Sequence, residues 1–95
     1  MMHEVTLQEP IKRGEETVTK VTLTKPRAGA MRGLAITDLL RMEVAAISTL
    51  LPRITMPSLS AAEVAELDPA DLMAFSEEVV GFFMTTAQAE AAGIL

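Results

Sequence analysis

The sequence predicts an α+β domain in which a small N-terminal β-hairpin packs on a bundle of about three helices. Apolar residues alternate with polar ones over residues 4–9, and β-branched residues dominate residues 17–24, as in half-buried strands. From residue 36 onwards, apolar residues recur at helical spacing instead. The length of 95 residues and the 49% apolar content suit one small domain, residues 1–95, with a single core.

The hairpin is predicted over about residues 4–24. Val5 and Leu7 fall on one side of the first strand, where they can face a core. Pro10 ends the pairing of this strand or marks a sheet edge, because proline has no N–H to donate. Val18 is out of phase with the other apolar residues of the second strand. Either a bulge intervenes there, or Val18 is exposed.

A connector over residues 25–35, with one short helical turn, leads to a first helix predicted over residues 36–51. Pro52 is expected to end this helix, because it lacks a backbone N–H and disfavours helix at the residue before it. Glu43 falls inside the apolar arc, either at its rim or facing a partner. The arc itself consists of Ile36, Leu40, Val44, Ile47 and Leu51.

Two further helices are predicted over about residues 60–67 and 69–86. Ser60 and Glu63 match a capping box, and Pro69 suits the first position of the last helix. One arc of that helix consists of Leu72, Phe75, Val79, Phe82 and Phe83. An adjacent arc consists of Met73, Val80 and Met84. Together the arcs are wider than one core face requires, so the second is buried either by another chain or by the domain itself. The C-terminal tail is expected to fray, or to order only on association.

The charge distribution disfavours nucleic acid as a partner. The net charge is −5, whereas phosphates require a basic face. All eight Lys and Arg lie within residues 12–53, and residues 54–95 carry only acidic charges. The two halves could pair within one molecule or between copies. The sequence has no Cys, no signal-peptide pattern and no apolar run near the roughly 20 residues of a membrane span, so a cytoplasmic location is expected.

No residue set predicts catalysis or a cofactor. His3 is the single His, near the terminus and without Cys, so a surface position is expected rather than a metal site. The serines have no His in the body of the chain to activate them. Glu77 and Glu78 are adjacent, and adjacent helical residues do not face each other. We therefore expect a chain that is not an enzyme.

Three motifs in order resemble a known protein family. LTKPRAGAMRGL (23–34) contains a Pro–x–Ala-Gly–x–x–Arg-Gly connector, a Leu-rich helix follows with LLPRIT, and residues 64–72 read VAELDPADL. This set is similar to the phage tail assembly chaperones of Mu-like and related contractile-tail phages and prophages, over about residues 17–84. Ala30 departs from the pattern, because family members often carry an acid there.

The resemblance implies a chaperone that binds the tape measure protein and keeps it soluble during tail tube assembly. It also implies action in the host bacterial cytoplasm, absence from the mature virion and a longer frameshifted product as a further partner. Self-association into a homo-oligomer is expected on a separate ground, because it would bury the second arc of the last helix. The surfaces expected to bind are the Arg-Gly connector, the loop after the first helix and the broad face of the last helix. The candidate residues are Arg32, Glu43, Met56, Met73, Val80, Phe83 and Met84.

Two other functions remain open at this point. One is an oligomeric structural or scaffold-like tail component that is retained in the particle. The other is an acidic regulatory partner of a DNA-binding protein. Proteomics of purified virions tests the first alternative. Gene neighbourhood tests the second, since a tail chaperone gene should lie between the tube gene and the tape measure gene.

A charge placed on the second arc of the last helix tests whether that arc binds a partner. Changing Val80 or Met84 to Asp is expected to disrupt oligomers or partner complexes more than it lowers the free energy of unfolding. Size-exclusion chromatography and urea denaturation measure the two effects. Equal loss of association and stability would favour a simple core role for this arc.

Overall fold

A three-stranded antiparallel sheet packs against helices in the computed structural model, which describes residues 2–83. The predicted α+β class and N-terminal hairpin are confirmed. The elements are β1 (Met2–Arg13), β2 (Glu16–Thr24), a 3-10 helix (Ala28–Met31), α1 (Ile36–Leu40), α2 (Val44–Ile54), β3 (Thr55–Met56), α3 (Ala61–Ala65) and α4 (Pro69–Phe82). The short turn expected in the connector is thus the 3-10 helix.

The strands run in the order β1-β2-β3. Val5 pairs with Val21, and Leu23 pairs with Thr55 of the short third strand. Val5, Leu7, Val21 and Leu23 are all buried, which confirms the inward face predicted from alternation. The sheet therefore contributes one apolar face to the core, as a three-stranded sheet must in order to be stable.

A bulge in β1 resolves the two ambiguities of the hairpin. Between Thr6, which pairs with Lys20, and Ile11, which pairs with Val18, β1 advances five residues while β2 advances two. The three extra residues form a bulge that contains Pro10. Pairing resumes beyond Pro10, so this proline lies in an edge strand instead of ending it. Val18, which pairs with Ile11 beyond the bulge, packs half-buried against the core.

Asp71 in the first turn of α4 holds this bulge in place. The backbone N–H groups of Gln8 and Glu9 donate to its two carboxylate oxygens at 2.7 and 3.1 Å. A bulge removes backbone donors from the strand ladder, and buried donors need another acceptor. The Asp71 side chain supplies both acceptors and is itself only 1% exposed. It therefore joins α4 to β1.

The continuous helix predicted over residues 36–51 is wrong, because the structure divides it. α1 ends at Leu40 and α2 begins at Val44. Met42 lies between them with φ of 57°, a left-handed conformation that ends an α-helix. The backbone N–H of Glu43 donates to the carbonyl oxygen of Asp38 at 3.0 Å and closes the turn.

The break changes which residues face the core. Ile47 and Leu51 are fully buried as predicted, but Ile36, Leu40 and Val44 are exposed. A single helical wheel cannot represent this outcome, because the left-handed residue changes the direction of the chain between the two helices. The buried residues of these helices are Leu39, Ala46, Ile47, Leu50, Leu51 and Ile54.

Pro52 does not end α2, which continues to Ile54. The proline lies in the last turn, so the helix loses only the hydrogen bond that the missing N–H would have made. Ile54 is buried, and the Thr55 hydroxyl donates to the Leu51 carbonyl oxygen at 2.8 Å. The same hydroxyl accepts from the N–H of Leu59 at 2.9 Å. These contacts stabilise an ordered turn from α2 into β3 in place of the expected loop.

The last two helices start where predicted. The Ser60–Glu63 capping box is present in α3, and Asp68 caps α4 through the N–H of Ala70 with Pro69 at the first turn. Phe75 and Val79 of the first arc are fully buried. Its other members, Leu72, Phe82 and Phe83, are half-buried against the core. α3 ends earlier than predicted, at Ala65. The C-terminal tail, which was expected to fray, lies outside the described residues.

Replacing Asp71 by Ala is expected to lower the free energy of unfolding by about 2–3 kcal/mol, because it leaves two backbone donors unpaired. Urea denaturation measures this loss. Asp71→Asn retains one acceptor and should cause a smaller loss. Glu77→Ala, at an exposed position of the same helix, is the control and should change stability by less than about 0.5 kcal/mol. Equal effects of D71A and E77A would contradict the role assigned to Asp71.

Candidate partner-binding surface

The arginine of LLPRIT binds the connector. One nitrogen of Arg53, Nη1, donates to the carbonyl oxygens of Ala30 and Arg32 at 2.9 and 2.8 Å. Because both acceptors are backbone atoms, the contact does not depend on the side chain at position 30, where the sequence departs from the family pattern. Arg53 thereby stabilises the 3-10 turn against the end of α2.

An ion pair joins the end of β1 to α3. Arg13 donates to the two carboxylate oxygens of Glu63 at 2.7 and 2.8 Å and to the Ser58 carbonyl oxygen at 2.7 Å. The Ser60 backbone N–H donates to Glu63 as well, at 2.9 Å. The hydrogen bonds from Arg13 and then Ser60 lower the pKa of Glu63 to about 2. This pair is one case in which the basic and acidic halves of the sequence meet within one molecule.

His3 lies against the last helix instead of standing alone at the surface. Its Nδ1 is 2.6 Å from Glu78 Oε2, and its ring meets Phe82 edge-to-face with centroids 4.9 Å apart. Within residues 2–83, no three His, Asp or Glu side chains form a group that could hold a metal ion. In the same part of the chain, no helix is long and apolar enough to cross a membrane.

The motifs that carry the family resemblance mainly maintain the fold. Arg53 and Thr55 of LLPRIT bind the connector and the loop after β3. Asp68 and Asp71 of VAELDPADL cap α4 and hold the β1 bulge. These side chains are engaged in contacts within the domain. A partner-binding surface is therefore expected from other residues.

Exposed apolar side chains identify such a surface. Five large apolar residues are exposed in the described part of the chain, and four of them lie on α1, α2 and α4. We name this set, Ile36, Leu40, Val44 and Met73, the helical apolar surface. Their exposed fractions are 53%, 46%, 61% and 53%. A monomeric protein rarely leaves such a cluster uncovered without a binding role.

A shallow groove lies between the start of α2 and the first half of α4. Val44 and Met73 of the helical apolar surface line it, together with Met42 of the interhelical turn. The other lining residues are Pro69, Leu72 and Ser76. Methionine side chains adapt to irregular apolar partners, because they are unbranched and polarisable.

The predicted binding residues fall in different places. Glu43 precedes Val44 and is exposed, and Met73 is part of the groove. Arg32 and Met56 are exposed on the connector and on β3. Val80 is half-buried on α4, whereas Phe83 is half-buried and packs against the core. Met84 lies outside the described residues.

Ile36, Leu40 and Val44 were expected in the core, and their exposure is the main feature that the periodicity missed. One signal in the sequence pointed to the break. Glu43 interrupts an otherwise apolar arc, and a charged residue on a buried face is rarely tolerated. The structure accounts for it by ending the first helix before this position.

Comparison with known proteins identifies the family. Residues 4–84 match the sequence profile of the phage tail assembly chaperone proteins described as E, or 41 or 14. The chain belongs to this family. The resemblance noted in the motifs is therefore confirmed, and a chaperone role, in place of a catalytic one, is what the family implies.

Two proteins of Escherichia phage P2 are similar to the chain. Tail assembly protein E is 46% identical over 78 residues, which cover 82% of this chain and 86% of that protein. Tail assembly protein E' is 45% identical over 80 residues, which cover 84% of this chain and 56% of that protein. The chain thus spans only about half the length of E'. No solved structure matches it significantly.

Acidification should weaken the contribution of the Arg13–Glu63 pair to stability. The folded-state pKa of Glu63 lies at about 2, below its ordinary value of 4.5, so its contribution is present above pH 4.5 and is lost as pH falls towards 2. The melting temperature of Glu63→Gln should therefore fall below that of the unchanged protein at neutral pH, and the difference should shrink between pH 4.5 and 2. Glu66→Gln, at an exposed neighbouring position, is the control. A difference that does not vary with pH would contradict this account.

Proposed function

We propose that the chain binds the tape measure protein and keeps it soluble while the tail tube assembles around it. The observation that carries this proposal is the 46% identity to tail assembly protein E over 82% of the chain. The family name describes phage tail assembly, and the proposal names the tape measure protein as the partner of the chain in that process. Action inside the host cell follows from it, because tails are built there before release.

The helical apolar surface supports a chaperone role. A chaperone for an apolar polypeptide has to expose apolar groups of its own without aggregating. Ile36, Leu40, Val44 and Met73 supply such groups, and the net charge of −5 favours the solubility of a chain that exposes them. The proposal assigns this surface to covering apolar helical segments of the tape measure protein, which would otherwise associate with one another.

Further copies of the chain and a longer product are proposed as additional partners. Both P2 proteins match nearly the same extent of this chain, 78 and 80 residues, although E' is the longer of the two. A longer frameshifted product that shares this module is consistent with that pattern. Self-association would allow several copies to cover one extended partner, since multivalent binding raises avidity.

Co-expression with a fragment of the tape measure protein from the same genome tests the function directly. We expect a larger soluble fraction of the fragment and a complex that co-purifies with the tagged chain. The fragment expressed alone, and with an unrelated acidic protein of similar size, provides the controls. Unchanged solubility together with no complex would refute the proposal.

Proteomics of purified particles separates the chaperone from a retained tail component. A chaperone is expected to be depleted from finished particles relative to the tube subunit. Recovery at a fixed stoichiometry with tail proteins would instead favour the structural role.

A further inference from the structure

We infer that the helical apolar surface docks one amphipathic helix whose apolar stripe is flanked by Lys or Arg residues. This inference rests on the proposed function and deepens it, because it assigns both the binding surface and the chemistry of the segment that the surface holds.

The walls of the groove come from different helices. Val44 is the first residue of α2, and Met73 lies in the second turn of α4. Ile36 and Leu40 are four residues apart on α1, so they lie one turn apart on the same side of that helix. α1 packs on α4, and its exposed Ile36 and Leu40 lie outside the residues that line the groove. The groove and these two side chains offer apolar contacts on three helices, and an amphipathic helix presents complementary side chains at i, i+3, i+4 and i+7.

Acidic residues flank both walls. Glu43 immediately precedes Val44, is exposed, and makes no side-chain capping hydrogen bond to α2. Glu77 is exposed one turn after Met73 on α4, so it lies on the same side of that helix. Asp38 adds a half-buried acid on α1, and Arg41 offsets one of these charges. The net charge of these residues is therefore negative, and it complements a basic partner.

The same charges disfavour a second copy of the chain as the occupant. In a two-fold symmetric contact, one surface meets its own counterpart. Glu43 and Glu77 would then approach acidic residues of the other copy, and like charges across an interface oppose binding. A helix with basic residues beside its apolar stripe gains from both features of the surface.

Synthetic peptides test the occupant directly. Three labelled peptides of equal length are compared: a Leu stripe at helical spacing flanked by Lys, the same stripe flanked by Glu, and the Lys peptide with its Leu positions scrambled. Fluorescence anisotropy with the full chain should show the tightest binding for the Lys-flanked stripe. The other two should bind at least about tenfold more weakly. Equal binding of the scrambled peptide, or of the Glu-flanked peptide, would overturn the inference.

Paired variants locate the binding to the groove. Val44→Ser with Met73→Ser should weaken binding of the Lys-flanked peptide by at least about tenfold, because it removes both apolar walls. Ala61→Ser with Ala65→Ser makes two apolar-to-Ser changes at exposed positions of α3, outside the groove, and should leave the affinity unchanged. Thermal denaturation verifies that each variant folds. If the two sets of variants lost similar affinity for the Lys-flanked peptide, the assignment of binding to this surface would be overturned.

A second pair tests the charge. Glu43→Gln with Glu77→Gln should weaken binding and reduce its dependence on salt, because exposed charge interactions are screened by ions. Glu66 is exposed, directly follows α3 and does not line the groove. Glu66→Gln is therefore the control and should retain the original affinity and salt dependence. An unchanged salt dependence in E43Q/E77Q would refute the charge complementarity.

Co-expression and sedimentation distinguish failure of this inference from failure of the proposed function. If the unchanged chain and V44S/M73S both solubilise the tape measure fragment, the assignment of binding to this surface is wrong, whereas the proposed function is supported. If the unchanged chain does not solubilise it, the function is wrong, and the peptide assay alone decides the surface. Self-association that V44S/M73S abolishes, without peptide binding to the unchanged chain, would overturn the inference in favour of a second copy.

Discussion

The carboxylate of Asp71 is the contact on which the packing of helix against sheet depends. The bulge in β1 turns the N–H groups of Gln8 and Glu9 away from the strand ladder, and both donate to Asp71. An unpaired buried donor costs about 1–3 kcal/mol, so a bulge of this kind requires an acceptor from outside the sheet. The first turn of α4 supplies it beside the Asp68 cap. The irregularity of the strand and the start of the last helix therefore stabilise each other.

Features that depend on residues close together in the sequence could be predicted from the sequence. The alternation of Val5 and Leu7 and the Ser60–Glu63 capping box each lie within a few residues, and the structure confirms both. The role of Asp71 could not be predicted in this way, because its partners lie 62 and 63 residues away. The break at Met42 had one indirect signal, the charge of Glu43 within the apolar arc. The residue type of Met42 gave none, since a methionine in the left-handed region is uncommon.

The candidate site was only partly predictable for the same reason. Glu43 and Met73 were expected at a partner surface, and the structure places both beside the groove. Val44 was expected in the core of one straight helix, together with Ile36 and Leu40. Helical periodicity places residues on one face only if a single helix continues through them. The turn between α1 and α2 interrupts the helix, so the predicted face does not continue across it. A residue that appears to complete an apolar core arc can then lie in solvent.

The side chains that hold the fold differ from those of the proposed binding surface. The polar residues of the family motifs hold the connector, the bulge and the helix starts, whereas Ile36, Leu40, Val44 and Met73 lie outside LLPRIT and VAELDPADL. This separation has a physical advantage. The walls of the groove are positioned by hydrogen bonds at the Asp38–Glu43 turn and at the start of α4. The exposed apolar groups are consequently not needed to hold the fold together, and they can exchange water for a partner without loosening the domain that presents them.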